Sequence, residues 1–166
     1  MRQAIFFTWA IIICLSCNKQ NAAGGEVVEI YLLKTSQTFF GKCQIDPTAS
    51  ALEDAAVIKN NDILFYFKSS HEFKLSNEAF QKVKTFLGRT PFAVTVDKQV
   101  IYYGFFMPSI MSSSCDHSIT MDIAWPGDNK VVLRLGYPGL PAGATIDDQR
   151  NNSRLLATLK AQDKLR

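Results

Sequence analysis

Four runs of β-forming residues follow one another between Phe92 and Tyr137, and two of them alternate strictly. Ile119, Met121, Ile123 and Trp125 interleave with Ser118, Thr120 and Asp122; Val131, Leu133 and Leu135 interleave with Lys130, Val132 and Arg134. A strand points successive side chains to opposite faces, so this period of two predicts a sheet with one buried and one wet face. The runs 92–97 and 99–107 are separated only around Asp97 and Lys98, which calls for a tight hairpin. Pro126, Gly127, Asp128 and Asn129 predict a second hairpin. Run 99–107 breaks the alternation, because both of its faces are apolar or aromatic. One set packs in the core; the other is either covered by a loop or left as a patch for a partner. Gly104, inside that run, lets a backbone or a ligand come close.

Around this block, residues 26–34 alternate as a first strand and 71–75 as a brief one. A short helical turn is expected over 51–55, and Asp62 is placed to cap a turn over 63–67. Ser76 precedes a run at helical spacing, 77–87, with Glu78 in the first turn and Gly88 beyond the end. Residues 137–143, rich in Pro and Gly, form a loop. Asp147 and Asp148 are then expected to open a closing helix that carries Leu155, Leu156 and Leu159 on one side. The fold class is α+β: a mostly antiparallel sheet of about five to six strands with two helices packed on one face.

The first 17 residues, MRQAIFFTWAIIICLSC, place Arg2 before an apolar run from Ala4 to Leu15 that is too short to span a bilayer. This describes a secretory signal over residues 1–16. Its end, Cys14-Leu15-Ser16-Cys17, resembles the lipobox of bacterial lipoproteins, with Cys14 where the family usually has Leu. The resemblance implies cleavage before Cys17 and a lipid on its sulfur; an ordinary secretory signal is the alternative. Asn18 in place of Asp then points to the outer membrane, with the domain in the periplasm or at the cell surface. Residues 17–25 read as the lipidated cysteine and a flexible tether, spanning on the order of 15 Å. Residues 26–166 are expected to form a single domain.

With 47% apolar residues and a net charge of +3 that includes the leader's Arg2, the chain is neither disordered nor strongly basic. No Lys or Arg block stands out, so nucleic acid is not an expected partner. Outside the leader and the anchor, Cys43 and Cys115 remain. In an oxidising compartment they most simply pair, and such a bridge stabilises by roughly 2–4 kcal/mol. The competing reading starts from MSSSCDH, residues 111–117, as a small thiol enzyme with Cys115 as nucleophile and His117 as base. In an extended strand, residues two apart lie about 6–7 Å from each other, beyond direct hydrogen-bond reach, though a turn could shorten that. Cys-x-His offers only two metal ligands, and no glycine-rich phosphate loop or zinc-protease motif is present, so neither a metal nor a cofactor is expected.

The run HEFKLSNEAFQKVKTF followed by PFAVTVDKQVIYYGFFMPSI is similar to the head of the periplasmic P1 domain of the SecD protein-export subunit. Ser76 matches the helix start; Ala93, Val94, Thr95, Val96, Asp97 and Val100 match the hairpin, with Lys98 in the place of the family's turn glycine. The resemblance implies an envelope compartment and contact with extended polypeptides, and it carries no catalytic residue. The expected function is therefore a non-catalytic binding or assembly module for protein or peptide partners. Its surface is sought at Tyr102, Tyr103, Phe105, Phe106 and Met107, with Ser112, Ser113, Ser114 and Trp125.

Overall fold

The alternating runs do form strands, in a larger sheet than the sequence predicts. The computed structural model describes residues 25–123 and 128–166, so Cys17 and Trp125 lie outside the described residues. The strands are β1 (Val28–Thr35), β2 (Ala51–Leu52), β3 (Ile63–Phe67), β4 (Glu72–Leu75), β5 (Thr90–Val96), β6 (Gln99–Phe106), β7 (Cys115–Ile123) and β8 (Lys130–Tyr137). They make one eight-stranded sheet in the order β2-β1-β5-β6-β7-β8-β4-β3. Among the described residues the β6–β7 pair alone is parallel; the other neighbours are antiparallel.

Two of the eight strands lie where the sequence predicts turns. Residues 63–67 read ILFYF, a nearly continuous apolar run with no alternation to mark it, yet they form β3 against β4. Asp62 ends a 3-10 turn (Asn60–Asp62) and accepts from Ser76 Oγ at 2.8 Å, which ties that turn to the start of α1 (Asn77–Val83). Residues 51–55 are not helical: β2 pairs with the end of β1, and the 3-10 turn falls earlier, at Pro47–Ala49. Ser76 caps α1 as expected by accepting from Ala79 N, but the helix ends at Val83 and leaves Leu87 exposed. The closing helix α2 (Ser153–Ala161) starts later than the two aspartates predict, because Asn152 is its cap. At the β5–β6 hairpin Asp97 and Lys98 both take positive φ, 48° and 63°, the geometry of a two-residue turn of the kind that matches strand twist.

Both faces of the sheet are covered, so the wet face that the alternation predicts is absent at β7, where Ser118, Thr120 and Asp122 are buried beneath the second layer. Ala79, Phe80 and Val83 of α1 and Leu155 and Leu159 of α2 share one core with Phe92, Tyr102, Phe106 and Ile119, so both helices pack on one face. On the other face, Cys43 and Ile45 cover Leu33, Ala93, Phe105, Met107 and Cys115. The outer side of β1 is occupied by β2 and by a bridge from Ile30 to Ile58. The outer side of β3 is occupied by the C-terminal residues: Tyr66 N donates to Lys164 O and Arg166 N to Tyr66 O, each at 2.8 Å. Among the described residues no helix is long and apolar enough to cross a membrane.

Candidate binding cleft

Sulfur is a fastener here. Cys43 and Cys115 form a disulfide with Cα atoms 5.1 Å apart, closing a loop of sequence separation 72. Cys115 is wholly buried, and Ser118 Oγ donates to Cys43 O at 2.8 Å beside it. With its sulfur bonded, Cys115 offers no thiolate, so the nucleophile–base pair of Cys115 and His117 does not form. His117 instead places Nδ1 2.8 Å from Asp116 Oδ1. That hydrogen bond holds the Asp116 carboxyl below the usual carboxylate range.

The aromatic strand is mostly interior. Tyr102, Phe105, Phe106 and Met107 are buried, in alternation between the two cores. The segment tied down by the disulfide thus covers the second apolar face of β6, as the loop-cover reading expects. Tyr103 is half-buried; Ser112 and Ser114 are exposed and Ser113 is half-buried. Of these residues Tyr102 and Tyr103 line a cleft, together with residues from other elements.

That site follows from how β6 and β7 part. Their parallel ladder has three rungs, Gly104–Ile119, Phe105–Thr120 and Phe106–Met121. Toward the N-terminal ends of both strands the pairing stops, and each strand carries a bulge there. On β6 the register against β5 shifts between Val94–Tyr102 and Thr95–Val100; on β7 it shifts against β8 between Cys115 and Ile119. Bulges bend a strand and end its pairing, so two of them on facing strands open a fork. Gly104 sits at the apex, where a Cβ would lie 2.6 Å from Phe92 Cζ and collide with Ile119 O. The close approach anticipated at this glycine is therefore made by the protein's own backbone and ring.

A cleft of about 400 Å³ fills the fork. It is lined by residues 101–103 of β6 and 117–119 of β7, three consecutive positions on each strand. Because side chains alternate between faces, three consecutive residues can line one cavity only where it lies along the strand's edge. Phe39, Gln44 and Ile45 supply another wall, and Ile146, Asp147 and Gln149 a further one. The last wall is pinned by Arg150, which grips Asp148 through Nε and Nη2 at 2.8 and 2.7 Å and donates from Nη1 to Leu133 O at 3.1 Å. The guanidinium keeps the Asp148 carboxyl low.

Among the described residues no Lys or Arg lines the cleft, and its polar groups are amides, hydroxyls, the His117 ring and the Asp147 carboxylate. Burial raises the Tyr103 phenol. Among the described residues no three His, Cys, Asp or Glu side chains converge as a metal site. Sequence reasoning reached Tyr102, Tyr103 and His117 but missed Phe39, Gln44, Ile146 and Gln149, which lie in loops without any periodic signal. Comparison with protein-family models, with curated proteins and with solved structures finds no match.

Proposed function

We propose that this chain is a lipid-anchored module of the bacterial cell envelope that binds a protein or peptide partner without transforming it. The observation that carries the reading is the forked cleft: a concave site of about 400 Å³ with aromatic, apolar and polar walls that include one carboxylate, Asp147, beside a sulfur that is bonded. Sites of this size and lining are typical of recognition. The topology also suits a tethered binder. Residues 25–27 lead into β1, and an eight-residue strand separates them by roughly 25 Å from the disulfide-bound 38–45 turn. Anchoring at Cys17 would then hold that turn, with Phe40 fully exposed at its tip, away from the lipid.

A photo-crosslinking residue at position 103 in the membrane-bound chain tests the reading. A discrete protein adduct is expected at 103 and not at Lys160, on the exposed side of α2. Absence of an adduct at 103, and at 39 and 44 across the cleft, would refute it.

A further inference from the structure

Resting on the binding-module reading, we infer that the fork takes an extended peptide segment, which pairs through its backbone with the free edge of β6. The edge is the reason. From Gly104 toward Gln99, β6 keeps β5 on one side but has no strand on the other among the described residues. Alternate N–H and C=O groups of a strand point sideways, so this edge presents donors and acceptors that the ladder does not use. No backbone bond from the 39–47 or 145–149 walls reaches residues 101–103. The outer sides of β1 and β3, in contrast, are already occupied, and β2 at the end of the sheet is only two residues long. An incoming strand therefore finds its opening inside the sheet.

Length and chemistry narrow the occupant. The unpaired stretch, residues 99–103, is five residues, or ~17 Å at ~3.3 Å per residue. A cleft of about 400 Å³ therefore holds a short extended segment and not a folded element. Strand addition supplies affinity through main-chain bonds and leaves specificity to alternate side chains. Ile45, on the side of the disulfide-bound turn, and Ile146, on the side of the helices, give apolar contacts for side chains that point to opposite faces of the sheet. With Asp147 on the rim and no cation in the lining, the segment at the cleft is neutral or basic; an acidic side chain there would be buried beside a carboxylate with nothing to pair it.

The test uses the full chain purified in detergent and a displayed library of random heptapeptides, followed by N-methylation of each amide of a selected peptide in turn. Edge pairing predicts a period of two. Methylating one set of alternate amides weakens binding by about tenfold or more, and methylating the intervening set changes it little. Replacing the peptide's cleft-facing residue by Glu should weaken binding as well. Selected peptides whose affinity ignores backbone methylation would overturn the inference, as would failure to select any peptide. Neither result touches the module reading, which the adduct at position 103 decides by itself. Because the diagnostic changes are made in the peptide, no variant of the protein has to fold.

Discussion

Tyr102 is 95% buried, and its hydroxyl has no hydrogen-bond partner among the described residues. Burial raises its pKa well above the ordinary phenol value. A buried hydroxyl left unmatched costs on the order of 1–3 kcal/mol, whereas the ring contributes to the same core as Phe92 and Phe106. Tyr102→Phe keeps the ring and removes the cost, so the variant should be more stable, by about 1 kcal/mol. Urea unfolding checks this, and a loss of stability would reveal a partner for the hydroxyl. His71 is the second informative residue. Desolvation first, then the Arg150 charge, lowers its pKa from 6.5, and Asn151 Nδ2 lies 3.1 Å from its Nε2. The folded state thus favours the neutral ring. Below the unfolded value near 6.5 the unfolded chain binds the proton more readily, so stability is full above that pH. It declines as pH falls toward the folded-state pKa and loses nothing further from this group beneath it. His71→Asn suits the positive φ of 55° at this position and should flatten that decline. Equal losses of urea midpoint between pH 7.5 and 5 in the variant and the parent would contradict the assignment.

Among the elements, the fork depends on how closely β6 and β7 meet at its apex. Gly104→Ala would place a methyl group 2.6 Å from Phe92 Cζ with the Ile119 backbone behind it. Overpacking of that kind costs about 1–3 kcal/mol, because the oxygen on one side belongs to a ladder that cannot shift alone. A denaturant midpoint unchanged by the substitution would show that the strands separate freely. The same elements explain what could be read in advance. Strands β7 and β8 alternate apolar with polar side chains, so alternation announced them, although in β7 the polar set, Ser118, Thr120 and Asp122, is buried too; Ser76 announced α1 because a serine before a helical period has a specific bonding task. Strand β3 went unrecognised because ILFYF carries no period, and β2 because two residues carry none. Asp147 and Asp148 imitate the acids of a helix start, but they are engaged with Gln149 and Arg150 before the true cap, Asn152. The cleft was least legible. It exists because two successive strands, joined by a short connection, pair over only three rungs and bulge beyond them, and neither event leaves a mark in either strand alone.

At the scale of the whole molecule, the proposal places the covalent chemistry of sulfur in two structural roles: Cys17 as the anchor and the Cys43–Cys115 bond as the clasp that lays the 38–45 turn across the sheet. Cys17→Ser should move the chain from the membrane fraction to the soluble one with its thermal unfolding unchanged. Retention on membranes would remove the lipid anchor from the proposal. The clasp bears on the thiol-enzyme alternative, since a bonded Cys115 cannot act as a nucleophile. Thiol titration of the mature chain, unfolded without reductant, tests the clasp most directly. It should find neither Cys43 nor Cys115 reactive until a reductant is added, and both reactive afterwards. A Cys115 that alkylates in the native, unreduced protein would contradict it and return residues 111–117 to consideration as a reaction centre.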